Sequence, residues 1–267
     1  MKKILLTLLV FCFNLPVFAN SEVITVIADS HVSINKKDEQ AATPATLRLL
    51  QTISQVNKDS SNCVIFLGDN VNSPNRLNVA LFAKAINKIK KPVYVVAGNR
   101  DIGKKGGLDQ KEYYRIVNKF SKNKVKKAPS YIKHDDLIFI FMYGVNETVP
   151  TFRGNYRTSE LEFLNKTLTK FSDKKAIIFQ HFPIVPPKED IDKTPYKPEM
   201  YLAELQKHNN VLAVVSGHYH FENVIEQAGI KHISVASLAL NGEYEQLKIF
   251  KNNDGSYSVT TKIIEAD

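Results

Sequence analysis

The chain has 267 residues, of which 43% are hydrophobic and 24% charged, with a formal net charge of +9. This is enough to bury a sizeable core as one large domain, or at most two small ones. The basic excess is spread through 84–91, 104–127 and 170–175 without regularly spaced aromatics, so it reads as solvated helix faces and argues against a nucleic-acid groove. It still favours the approach of an anionic substrate.

Residues 1–19 read as an export signal. Met1-Lys2-Lys3 is a basic start, an apolar run covers 4–13, and Val17-Phe18-Ala19 ends on the small residue expected before a cut. As an uncleaved anchor the run is short and is interrupted by Asn14 and Pro16. Phe11 is too large for the position before a lipoprotein acceptor, which sets Cys12 aside in that role. The expectation is a domain over 20–267 with no stable membrane anchor, in the periplasm or outside the cell. Cleavage would take Lys2 and Lys3 from the 36 basic residues, leaving 34 against 27 acidic. It would also take Cys12, leaving Cys63 with no partner for an internal disulfide.

A strand at 23–28 opens the domain. After Thr43-Pro44, Leu47, Leu50, Ile53 and Val56 recur at helical spacing and predict a helix over 45–57, followed by a strand at 63–67. Val79, Leu81, Phe82, Ile86 and Ile89 predict a second helix over 78–90, which Pro92 stops before a strand at 93–97. This alternation is that of an α/β chain. A helix over 110–120, a buried strand over 137–143 and an amphipathic helix over 159–171 come next, with further strands at 176–179 and 211–215. Five prolines fall within 183–198, a stiff loop that is either a lid or substrate wall or a plain surface excursion. The last third turns to short segments at 223–226, 230–235, 245–251 and 256–264, which read as an antiparallel β end.

Five polar signatures each follow a strand: Asp29-Ser30-His31, Gly68-Asp69-Asn70, Gly98-Asn99-Arg100-Asp101, Gln180-His181-Phe182-Pro183 and Gly217-His218-Tyr219-His220. Singly they carry little weight, because Asp-x-His is common by chance and a lone histidine is usually a core or surface residue. His134, His208 and His232 are read that way. Jointly, in this order, the signatures deliver Asp29, His31, Asp69, Asn99, His181, His218 and His220 to one edge of a sheet. A mixed imidazole, carboxylate and amide set suits Mn, Fe, Zn or Co and does not choose among them.

The signatures resemble the calcineurin-like metallophosphoesterases, whose pattern is Asp-x-His, Gly-Asp-x-x-Asp/Asn, Gly-Asn-His-Asp/Glu, a later His, and Gly-His-x-His. The resemblance spans 23 to about 240. It implies an α/β fold of four layers, an α-β-β-α sandwich of two mixed β-sheets. It also implies two divalent metal ions, one held by Asp29, His31, Asp69 and His220, the other by Asp69, Asn99, His181 and His218. Asp69 would be shared and a bridging hydroxide would be the nucleophile on phosphorus.

Arg100 departs from that pattern, standing where most of the family has a histidine thought to protonate the leaving group. Arginine cannot do this, but its fork can bind a phosphoryl oxygen. The expectation is that Arg100 and Asn99 contact substrate, and that Arg100 and Asp101 are the catalytic side chains, Asp101 orienting the guanidinium. The substrate is then a small-molecule phosphoester, with phosphodiester or pyrophosphate bonds ahead of monoesters. Gly-Asn-Arg-Asp is similar to UDP-2,3-diacylglucosamine pyrophosphohydrolases, whereas His-Phe-Pro is nearer the cyclic-nucleotide phosphodiesterase branch. A broad phosphomonoesterase and a non-catalytic metal-binding scaffold are the alternatives.

Overall fold

The computed structural model describes residues 21–35, 43–103, 108–147 and 151–266. The expected export signal at 1–19 lies outside the described residues. Among those described, no helix is long and apolar enough to cross a membrane.

Two mixed sheets face each other. The first contains β1 (Ser21–Ile27), β2 (Cys63–Leu67), β3 (Val93–Val96), β10 (Glu243–Lys251) and β11 (Tyr257–Glu265), in the order β11-β10-β1-β2-β3. β1, β2 and β3 are parallel, and β10 and β11 add antiparallel strands on the β1 side. The second sheet contains β4 (Ser130–His134), β5 (Leu137–Phe141), β6 (Lys175–Phe179), β7 (Val211–Ser216), β8 (Asn223–Gln227) and β9 (Ile230–Ser234), in the order β4-β5-β6-β7-β9-β8. Its four inner strands, β5, β6, β7 and β9, are parallel.

The buried pattern of β2 and β5, apolar at every position, requires cover on both faces. Tyr94 of β3 stacks on Phe141 of β5, centroids 5.5 Å apart, and so marks the layer between the sheets. Phe66 of β2 meets Phe82 of helix α2 (Arg76–Ile86) edge to face at 5.2 Å on the opposite side. Helices α1 (Ala45–Val56) and α3 (Gln110–Phe120) bury apolar stripes beside α2, while α4 (Thr158–Lys170) and α5 (Pro198–Leu205) belong to the second sheet's connections. A short helix α6 (Leu238–Asn241) leads into β10.

Besides the short α6, the structure differs from the sequence reading in three places. α5 begins at the last proline of the expected loop, because Pro198 occupies a first-turn position where a missing N–H costs nothing. β4 was not expected, its half-exposed Ser-Tyr-Ile-Lys-His pattern being that of an edge strand. The four C-terminal strands do not form one antiparallel unit, since β8–β9 joins the second sheet with β9 parallel to β7, and β10–β11 joins the first.

Candidate metal centre

Parallel strands put all their carboxyl ends at one edge, and there the five signatures meet. Asp29 and His31 follow β1, Asp69 follows β2, Asn99 and Arg100 follow β3, His181 follows β6, and His218 and His220 follow β7. Six of them form two triads, Asp29/His31/His220 and Asp69/His181/His218, each with one potential ligand atom per residue within 4.8 Å of the others.

In the first triad, His220 Nε2 lies 3.2 Å from Asp29 Oδ1 and 3.3 Å from His31 Nε2. In the second, His181 Nε2 lies 3.4 Å from Asp69 Oδ1, and Asn99 Oδ1 joins at 3.2 Å from His181 Nε2. The two sheets are stitched together here. The His218 N–H donates to Asp29 Oδ2 at 2.8 Å, and His181 Nδ1 donates to the Leu67 carbonyl at 2.9 Å. The latter bond fixes the ring and leaves Nε2 facing the centre.

Two glycines make this approach possible. A Cβ on Gly98 would strike the Asp69 carboxylate and lie 2.9 Å from His181 Cδ2, and one on Gly217 would lie 2.7 Å from Asp29 Oδ2. Five of the ligand-type residues themselves take positive φ: Asp29 (52°), His31 (43°), Asp69 (47°), His218 (73°) and His220 (55°).

The charges are mutually dependent. Burial alone would push the Asp69 carboxyl up, but the imidazoles of His181, His31 and His218 hold it below its ordinary range. Asp29 is held down in the same way, against its burial, mainly by His220. Burial opposes the charged form of His181, yet the Asp69 carboxylate outweighs it and raises that imidazole to about 9. His218 is pushed down to about 3 by burial, reinforced by the charge of His181.

The donor set fits a pair of metal ions. His218 Nε2 is a buried polar atom with no hydrogen-bond partner among the described residues, an uncommon state for a ring nitrogen. Oxygen and imidazole donors converge in both triads without a thiol, and the one described cysteine, Cys63, is buried in β2 with burial pushing its thiol up to about 12.

Arg100 stands at the mouth of the centre. Its backbone N–H donates to Asp69 Oδ1 at 2.7 Å, and its Nε lies 3.7 Å from Asp69 Oδ2. Asp101 is placed otherwise than the sequence reading had it. Instead of reaching the Arg100 guanidinium, its fully buried carboxylate accepts from the N–H groups of Gly98 (2.8 Å) and Val71 (2.9 Å) and from Asn70 Nδ2 (3.1 Å). It braces the turn from below, and burial together with the Asp69 charge raises it to about 7.

Asp69, Asn99, Arg100, His218 and His220 line a cleft of about 250 Å³ with Phe152, Asp190, Asp192 and Lys193. The last four lay outside the sequence reading of the site. The only signal toward three of them was the proline-rich segment following His181.

This fold and these signatures define a metallophosphoesterase. The model of the calcineurin-like phosphoesterases matches residues 23–222, and the chain belongs to that family, whose members depend on two metal ions. A probable glycerophosphodiester phosphodiesterase from Arcobacter nitrofigilis is 26% identical over 204 residues, covering 74% of this chain and 71% of that protein. A manganese-dependent ADP-ribose/CDP-alcohol diphosphatase from Danio rerio is 27% identical over 95 residues, covering 34% of this chain and 30% of that protein. Among solved structures, a dimetal phosphatase from Danio rerio superposes with a TM-score of 0.65 at 15% identity, covering 92% of this chain and 99% of that one. That likeness concerns the fold.

Proposed function

We propose that the chain hydrolyses phosphodiester or pyrophosphate bonds in a small-molecule substrate at this centre, with two divalent ions as cofactors. The observation that carries the proposal is Arg100 beside the two triads, a fixed cation where a proton donor would otherwise stand. When bound, the ions supply Lewis acidity toward phosphoryl oxygens and a water activated at neutral pH.

The chain's own residues do the rest. Asp29, His31 and His220 would hold one ion and Asp69, His181 and His218 with Asn99 the other, with Asp69 available to both. His181 is kept in one orientation by the Leu67 carbonyl. The Arg100 fork binds non-bridging phosphoryl oxygens and stabilises charge that builds in the transition state. Because arginine donates no proton at working pH, the leaving oxygen departs as an anion, which favours nucleotide-like, activated or phosphoanhydride leaving groups over simple alkoxides. One relative named for a phosphodiesterase and another named for a diphosphatase support this choice. The N-terminal segment adds that this chemistry takes place outside the cytoplasm, which N-terminal sequencing of fractionated protein checks.

The test is hydrolysis of bis(p-nitrophenyl) phosphate and p-nitrophenyl phosphate by residues 20–267 with Mn²⁺, again after chelation, and in Asp69→Ala. Metal-dependent turnover favouring the diester and abolished in Asp69→Ala is expected. A preference for the monoester, or activity that survives loss of Asp69, overturns the proposal.

A further inference from the structure

The outer wall of the cleft is built by a segment that the metal triads do not use. At 190–194 the chain folds back on itself, with the Asp190 carbonyl accepting from Lys193 N (3.2 Å), Thr194 N (3.0 Å) and Thr194 Oγ1 (2.8 Å). Two further groups pin this turn. Tyr219, buried between His218 and His220, donates its hydroxyl to the Asp190 carbonyl at 3.1 Å and lies 3.1 Å from Thr194 Oγ1. Arg153 donates from Nε to the Thr194 carbonyl at 2.7 Å and lays its guanidinium over the Tyr196 ring, 4.0 Å from the centroid. The strand end that carries two ligand-type histidines therefore also fixes the wall facing them.

What the wall presents is a second cation. The Lys193 ammonium lies 5.6 Å from the Tyr219 ring centroid, and the residue lines the cleft together with Arg100, Asn99 and Asp69. Among the described residues no carboxylate lies within ion-pair distance of that ammonium, although Asp190 and Asp192 of the same turn line the cleft with it, so its charge is available to a ligand. The same cleft is lined by Asp192 and by Phe152, which is 61% exposed, groups that receive hydroxyls and a flat apolar surface.

We propose that Lys193 contacts a second phosphoryl group, that Tyr219 is the residue positioning it, and that the substrate class is a pyrophosphate joining two alcohols. This rests on the hydrolase reading above and chooses between its two bond types. In the reaction the oxygen of a water forms a bond to the phosphorus at the centre, and the bridging P–O bond breaks. The second phosphoryl leaves with that electron pair as a phosphate monoester, and the protons of the water pass to solvent. Such a leaving group needs no proton but does need charge neutralisation, which Arg100 and Lys193 supply.

The test compares ADP-ribose with bis(p-nitrophenyl) phosphate in wild type, Lys193→Gln, Lys193→Arg and Tyr219→Phe, all loaded with Mn²⁺. In Lys193→Gln the ratio of kcat/KM for ADP-ribose over the diester should fall about tenfold to a hundredfold, the range of a lost hydrogen bond to a charged group. Lys193→Arg should restore most of the ratio, and Tyr219→Phe should lower it by a smaller factor, through KM more than kcat. An unchanged ratio in Lys193→Gln overturns the inference. Binding of α,β-methylene-ADP, read by calorimetry, separates the two readings. If wild type hydrolyses neither substrate, the hydrolase reading falls, while weaker binding in Lys193→Gln still supports the phosphoryl contact and equal binding refutes it.

Discussion

Glu245 sits in β10 with both carboxylate oxygens buried and without a hydrogen-bond partner among the described residues, and the residue is 1% exposed. It pairs across the sheet with Val26 and Ile263, and opposite residues of antiparallel strands share a face, so its surroundings there are apolar. Burial, helped by the negative charges of Glu222 and Glu243, raises its carboxyl from 4.5 to about 8. A carboxyl raised on folding holds its proton longer in the folded than in the unfolded chain. Stability is therefore unaffected below the unfolded value near 4.5 and falls as pH rises from there toward 8. At ~1.4 kcal/mol per pH unit the whole rise amounts to roughly 5 kcal/mol, of which about 4 kcal/mol falls between pH 5 and pH 9. Glu245→Gln removes the titration while keeping shape and polarity. Urea unfolding of both proteins, kept metal-free by chelation, should give similar stability at pH 5. At pH 9 the variant should be more stable by about 3–4 kcal/mol. Parallel stability curves for the two proteins would refute the account.

Three further outcomes concern the centre itself. His181, raised to about 9 by Asp69, carries a proton at neutral pH in the metal-free protein, and a ligating imidazole must lose it. Mn²⁺ uptake at pH 7.5 should therefore release about one proton from His181, seen by calorimetry in buffers of different ionisation enthalpy, and affinity should fall as pH drops from 9 to 7; uptake with no proton release contradicts this. Gly98→Ala should push a methyl into the Asp69 carboxylate and weaken Mn²⁺ binding more than tenfold, at a stability cost of about 1–3 kcal/mol. Wild-type affinity in a calorimetric titration would show that the turn yields without disturbing Asp69. Arg100→His should raise the rate on p-nitrophenyl phosphate relative to bis(p-nitrophenyl) phosphate, whereas proportional loss of both would mean that Arg100 mainly binds substrate.

Much of the site was readable because each ligand-type side chain follows a short apolar run, and a parallel strand ends in the same direction as its neighbours. The positions of Asp29, Asp69 and His218 depend on that one rule. Asp101 was not readable, because adjacent residues in a tight turn point in unrelated directions: Arg100 goes to the cleft while Asp101 turns under Gly98 to meet backbone donors from Val71 and side-chain donors from Asn70. Lys193 was hidden for a different reason. Its place in the wall depends on hydrogen bonds from Tyr219 and Arg153, residues 26 and 40 positions away in sequence, and no local pattern records them. The pairing of β9 with β7 was likewise masked, since the Ala228-Gly229 turn signals a hairpin with β8 and is silent about the strand on the other side.

The backbone at the ligands is held in an unfavourable conformation by the packing around it. Left-handed φ at a residue with a side chain costs of order 1–3 kcal/mol, and Asp29, His31, Asp69, His218 and His220 all adopt it. Aspartate and histidine tolerate the region better than most residues, but five such positions in one site must be held by their surroundings. The Asp29 N–H donates to the Gly68 carbonyl at 3.1 Å and the His31 N–H to the Asp69 carbonyl at 3.0 Å, so each strained turn is tied to the next strand's turn. Those bonds are rigid only because β1, β2, β6 and β7 beneath them are packed on both faces. The same crowding faces the imidazoles toward one another and the carboxylates, an arrangement that bound cations relieve. The strain, the orphaned His218 nitrogen and the depressed Asp69 carboxyl are three expressions of one design, in which the sheets hold the donors in place before the metals arrive.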